Sequence, residues 1–184
     1  MEENMIVDSI KKRKLQLDLF EKFKYFKVPA LCCLIGATCL TKGFQDFTFL
    51  DYYEVSSKIG FLFFGLGAIS LVFKLNRLKL ISVENLNLKA KECILYVAEK
   101  RKWKTELNSE KLIIFKTVPI KGYDDYIVNN KHEGEKIYVF FDQKKIFLRS
   151  IDNLDNFSFK IQNGENSSNE KTLVNVINTA NKSG

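Results

Sequence analysis

Two stretches of this chain carry no charge, Val28–Thr41 and Ile59–Phe73, and they limit its fold more than anything else in the sequence. Each is shorter than the roughly 20 apolar residues that cross a hydrocarbon core of about 30 Å. Their flanks lengthen them. Tyr25 and Phe26 extend the first run backwards and Val55, Ser56 and Ser57 extend the second, while Lys27 and Lys58 can carry their ammonium groups out to lipid headgroups. The segment between the runs is rich in aromatics, among them Phe44, Phe47, Phe49, Tyr52 and Tyr53, as a membrane–water boundary favours. The expected element is a two-helix transmembrane hairpin over residues 27–74. The competing arrangement is a hydrophobic helical hairpin inside a soluble core. A cleaved signal peptide fits less well, because the charged leader before its apolar segment would be about 26 residues long.

Lys and Arg set the expected orientation. Residues 1–27 hold seven (Lys11, Lys12, Arg13, Lys14, Lys22, Lys24 and Lys27), residues 42–58 hold only Lys42 and Lys58, and five follow soon after the second run (Lys74, Arg77, Lys79, Lys89 and Lys91). This bias places both termini in the cytosol of a bacterial inner membrane, with the aromatic loop outside. Lys27, Tyr52, Tyr53, Lys58, Lys74 and Arg77 are the expected membrane-interface residues.

The net charge of +7 comes from 29 Lys and Arg against 22 Asp and Glu. From residue 84 onward the balance is 17 to 14, so much of the excess lies at the membrane edge, where each well-placed cation gains about 1 kcal/mol from anionic lipid. No basic stripe interleaved with aromatics marks a nucleic-acid surface, and nucleic acid is not an expected partner.

Before the first run, Asp8 or Ser9 would cap a basic amphipathic helix reaching about Phe26, lying in the interface or packed on the soluble domain. Pro29 falls near the start of the first span, where a missing N–H costs little. Small residues let helix backbones approach closely in lipid. On that basis Gly36 and Ala37 in the first run and Gly60, Gly67 and Ala68 in the second are the expected helix-packing residues, serving hairpin closure and self-association.

Residues 75–184 read as a cytosolic α+β domain with an antiparallel sheet, in the order α-β-β-β-α. Leu75–Leu88 leads out of the membrane. A helix follows over Asn87–Lys102 with Trp103 at its end, then a strand over Lys111–Val118 and a polar loop over 119–135. A hairpin joins Lys136–Asp142 to Lys145–Ile151, and a fourth short strand fits Phe157–Ile161. Residues 163–169 read as loop, and Ser167-x-x-Glu170 as a capping box starting the last helix.

The chemistry open to such a chain is narrow. Its one histidine, His132, lies in the turn-like Asn129-Asn-Lys-His-Glu-Gly134, a poor place for a nucleophile–base pair. Cys32, Cys33 and Cys39 lie in the first apolar run and Cys93 on a helix, with no metal-ligand spacing. No glycine-rich phosphate loop follows a strand, since Gly65-Leu-Gly67 belongs to the second run. The carboxylate pairs Asp124 with Asp125 and Asp152 with Asp155 read as solvated turn residues. The runs hold no interior Asp, Glu, Arg or His for an ion relay. No catalytic residue, cofactor or metal is therefore expected, and the chain is not expected to be an enzyme or a transporter.

Residues 25–184 resemble a loosely defined group of uncharacterised bacterial membrane proteins. The likeness lies in the hairpin followed by a helix ending near Trp103, a strand, and the paired segment Ile137-Tyr-Val-Phe-Phe-Asp-Gln-Lys-Lys-Ile-Phe-Leu-Arg-Ser150. It is one of arrangement, and it implies a two-span protein with a small cytosolic domain and no catalytic residues. The functions expected are a membrane-anchored module whose cytosolic domain binds a protein partner, or a two-span effector that perturbs the membrane.

Overall fold

The computed structural model describes residues 3–45, 50–85, 89–117, 134–152 and 165–182, with the backbone alone for 42–45, 50–56, 152, 165 and 166. Two compact units result, Met1–Gln16 with Leu78–Gly184, and Leu17–Arg77. The limits of these units lie at 16/17 and 77/78.

The first unit is built on a five-stranded antiparallel sheet. Its strands are β1 (Ile81–Glu84), β2 (Lys104–Asn108), β3 (Leu112–Lys116), β4 (Glu135–Phe141) and β5 (Lys145–Asp152), in the order β1-β5-β4-β3-β2. Strands β2 to β5 form a meander, and β1 pairs with the far side of β5, Ile81 opposite Leu148. Ile113, Phe115, Ile137, Val139, Ile146 and Leu148 share one face and are completely buried. Helices α4 (Ala90–Lys100) and α5 (Glu165–Lys182) add Ala90, Ile94, Ala98, Leu173 and Ile177 to this core, and Trp103 closes it with its ring 5.9 Å from Phe115. Each buried valine, leucine, isoleucine or phenylalanine side chain contributes about 1.5–3 kcal/mol by leaving water. Tyr138, Phe140, Phe147 and Ile151, on the other parity, are also buried, so β4 and β5 are apolar on both faces.

Two strands went unread in the sequence. The segment expected simply to lead out of the membrane contains β1. The polar run Lys104–Asn108 is β2, an edge strand exposed at every position and bulged between Thr105 and Leu107. Charge and a bulge are what a soluble edge needs, and they hide the alternation that betrays inner strands. The last helix begins at Glu165, inside the expected loop, so Ser167 and Glu170 belong to its first turns and do not form its cap. The expected strand at 157–161 and the loop residues His132, Asp124, Asp125 and Asp155 lie outside the described residues.

The helix expected from Asp8 or Ser9 to Phe26 is two helices, α1 (Glu3–Lys12) and α2 (Leu19–Gln45). At the end of α1 the N–H groups of Arg13 and Lys14 donate to the carbonyls of Ile10 and Ser9, with Arg13 at φ 48°. This is a Schellman stop with arginine where glycine is usual. The end of α4 repeats it: Lys102, at φ 58°, and Trp103 donate to Glu99 and Ala98. Ser9 is a buried mid-helix residue, its hydroxyl donating to the Met5 carbonyl and accepting from the Gln16 N–H. Helix α1 belongs to the sheet-bearing unit, where Glu3 pairs with Lys111 at 2.8 Å. That hydrogen bond and the charge of Lys111 hold the Glu3 carboxyl below the usual carboxylate range, and Glu3 in turn raises Lys111.

The second unit is an antiparallel hairpin of α2 and α3 (Leu50–Arg77). Helix α2 starts on a reciprocal capping box. The Glu21 N–H donates to Asp18 Oδ1 at 2.7 Å, and the Asp18 N–H to Glu21 Oε2 at 3.3 Å. Both helices are long and apolar enough to cross a membrane, over Leu19–Thr41 and Ser57–Arg77. Tyr52 and Tyr53, expected in a loop, stand in the first turn of α3.

Candidate functional site

The helix–helix contact of the hairpin is made where side chains are missing. A Cβ on Gly36 would lie 2.7 Å from the Phe64 nitrogen and 2.9 Å from the Gly60 carbonyl oxygen. One on Gly60 would meet the Leu40 side chain at 2.8 Å, and one on Gly67 the Cys33 Sγ at 2.6 Å and the Pro29 carbonyl oxygen at 3.1 Å. The two backbones touch at these three glycines. Ala37 and Ala68, grouped with them from the sequence, are exposed. The reason is angular: Gly60 and Gly67 are two helical turns apart, whereas Ala68 and Ala37 are each turned about 100° from the neighbouring contact residue.

Pro29 is internal to α2, ten residues past its start, and not near its first turn. It lacks the N–H that would bond the Tyr25 carbonyl four residues earlier. Lys74 supplies the replacement. Its Nζ donates to the Tyr25 carbonyl at 2.6 Å and stands 4.6 Å from the centroid of the Tyr25 ring, and the Tyr25 hydroxyl donates back to the Lys74 carbonyl at 3.2 Å. Lys74, an expected interface residue, is thus bound inside the helix pair. Lys27 and Arg77 are half-buried at the same end, and Lys58 is exposed at the other. The side chains of Tyr52 and Tyr53 are outside the described set.

The sheet-bearing unit holds a buried polar cluster that sequence reasoning missed. Glu135, 3% exposed, opens β4, and its Oε2 accepts from Ser150 Oγ at 2.9 Å and from Asn169 Nδ2 at 2.8 Å. Glu170, 5% exposed, accepts the Ser150 N–H at 2.9 Å and pairs with Arg149 at 3.5 Å. The geometry has a simple origin. By the β1–β5 register Lys79 would stand opposite Ser150, but Lys79 bridges Lys14 instead. The Ser150 N–H loses its ladder partner there, and a carboxylate from α5 takes the place. At the other end of the cluster the Glu135 N–H donates to Thr117 Oγ1 and Gly134 sits at φ 71°, where any Cβ would collide with the Thr117 carbonyl. The cluster ties the mouth of β4 and β5 to the first turns of α5. Its members are held by one another, which suits a structural lock better than proton transfer. Among the described residues no group of three or more His, Cys, Asp or Glu gathers to hold a metal ion.

On the solvent side of the two-helix layer, α4 and α5 leave a groove of about 630 Å³. Cys93, Tyr96, Val97, Val176 and Ala180 give it an apolar floor, with Lys89 and Glu92 among its polar lining. Tyr96 is largely exposed there. The sequence places Cys93 on a helix, with no sign that α5 would stand beside it.

Compared with protein-family profiles, curated proteins and solved structures, the chain matches none.

Proposed function

We propose that this protein is a membrane-anchored interaction module. The α2–α3 hairpin crosses the bacterial inner membrane as two spans, both termini lie in the cytosol, and the α+β unit binds a protein partner. The burial of the hairpin carries the reading. Only 17% and 11% of the two candidate spans are buried, whereas core helices of a soluble protein are mostly buried. Leu34, Phe61, Leu62 and Phe73 offer apolar surface for acyl chains. The chain on either side of the hairpin is joined to itself: Leu15 donates to the Leu78 carbonyl, and Leu80 to that of Arg13. Such pairing requires both flanks to be on one side, as an even number of crossings does. The α4–α5 groove, with Tyr96 projecting into it, is the surface that would take a partner. Nothing in this reading calls for catalysis, a cofactor or nucleic acid.

Reporters fused at either terminus would be active only in the cytosol, and an extracytosolic signal from either would refute the topology. A photo-crosslinker at Tyr96 in living cells should capture one protein in stoichiometric yield, lost with Val176→Asp. Absence of any crosslink would refute the docking surface.

A second reading, a membrane-perturbing effector, draws on the outer face of the hairpin. Ala37 and Ala68 are exposed and nothing lies within 4 Å of a Cβ placed on Gly65, so a second hairpin could approach closely. Collapse of the membrane potential upon overexpression would favour it, and an unchanged potential with normal growth would retire it.

A further inference from the structure

The charge-free runs, 28 through 41 and 59 through 73, contain 14 and 15 residues. At 1.5 Å per residue they are about 21 and 22 Å long, against a usual hydrocarbon core of about 30 Å. The helices themselves are longer, but Glu21, Lys22, Lys24 and Lys27 occupy the early turns of α2, and Lys42 and Lys58 stand at the far end.

Two short runs could be offset along each other so that together they covered a thicker slab. Here they are level. Gly36 lies against Gly60 and Phe64, Cys33 against Gly67, Leu40 against Gly60, and Tyr25 against Lys74. One run therefore begins and ends beside the limits of the other to within about a helical turn. Tilting offers no relief either, because it shortens the projected length of a helix. The remaining device is a lysine reaching outward: Lys27 and Lys58 can each do so at one end of one run, but Lys74, which closes the second run, is committed elsewhere. Its ammonium is held on the Tyr25 carbonyl, which fixes a positive charge at the level where the second run stops.

Resting on the bilayer reading above, we infer that the hairpin selects a lipid surface whose hydrocarbon core is several ångströms thinner than the usual one, gathering short-chain lipid or thinning the bilayer around itself. The level register and the inward-bound Lys74 set that thickness. Polar groups at both ends resist immersion, and each ångström of mismatch costs a fraction of a kcal/mol.

The test reconstitutes the full chain into phosphatidylcholine vesicles with short (myristoleoyl), intermediate (oleoyl) or long (erucoyl) monounsaturated chains. Incorporation is scored by flotation after alkaline carbonate. The expected result is highest incorporation in the short-chain vesicles, falling about two-fold or more to the long-chain ones. The double variant Lys27→Leu, Lys58→Leu lengthens the charge-free runs to 25–41 and 55–73, and its optimum should move to oleoyl chains. Equal incorporation of the native chain at all three lengths overturns the inference and leaves the membrane reading intact, as does a folded double variant with an unmoved optimum. A chain that floats with no vesicle and stays dispersed without detergent overturns the membrane reading itself.

Discussion

Lys74 does for Tyr25 what Pro29 cannot. The proline removes the amide that would have bonded the Tyr25 carbonyl, and an ammonium 49 residues further along the chain bonds it at 2.6 Å while the tyrosine hydroxyl answers to the Lys74 carbonyl. A defect in one helix is thereby converted into a clasp between two.

That relationship predicts a coupled double-mutant cycle. Lys74→Met should weaken the hairpin by about 1 kcal/mol, since one charge-assisted hydrogen bond in a nonpolar setting is lost. In a Pro29→Ala background the restored N–H satisfies the Tyr25 carbonyl, so the same substitution should cost clearly less. Denaturant titration in micelles, followed by circular dichroism, measures the four species. Equal losses in both backgrounds would mean that Lys74 and Pro29 act independently.

The glycines of the hairpin should divide sharply. Gly67→Val places carbon against Cys33 and Pro29 and should separate the helices at a cost of about 1–3 kcal/mol. Gly65→Ala meets nothing within 4 Å and should be neutral or slightly stabilising through helix propensity. A pair of single cysteines, one on each helix, reports the separation by spin-label distance.

Glu170 carries two duties at once, the Ser150 N–H and the Arg149 guanidinium. Glu170→Ala leaves both buried without it and should cost about 3 kcal/mol. Glu170→Gln keeps a carbonyl oxygen for the amide and should cost less. The fluorescence of Trp103, the only tryptophan and part of the same core, follows the unfolding.

The Glu3–Lys111 pair gives a pH signature without a large stability effect, because both groups are exposed. The carboxyl is lowered, so its contribution is present above the usual carboxylate range and fades as pH falls through the lowered value. The ammonium is raised, so its contribution is present below the ordinary lysine value and fades as pH rises through the raised one. Carboxyl resonances of isotopically labelled Glu should show Glu3 titrating low, and Lys111→Met should return it to the ordinary range.

The sequence by itself determined the elements whose signal is local. Charge-free runs had to become apolar helices, and the segment Lys111–Val118 and the hairpin joining Lys136–Asp142 to Lys145–Ile151 had to supply inner strands, because periodicity and turn chemistry act within a few residues. Tertiary structure decided the rest. Nothing near Arg13 marks a helix stop, since the Schellman bonds that end α1 formed around an arginine where glycine would have given warning. A polar edge such as Lys104–Asn108 becomes a strand only once β3 is there to pair with it. Glu135 and Glu170 look like solvated carboxylates until β5 and α5 bring Ser150, Arg149 and Asn169 around them. Tyr25 and Lys74 share no sequence pattern at all. Each of these features exists only because two distant segments meet, and the free energy of such a meeting is written in neither segment alone.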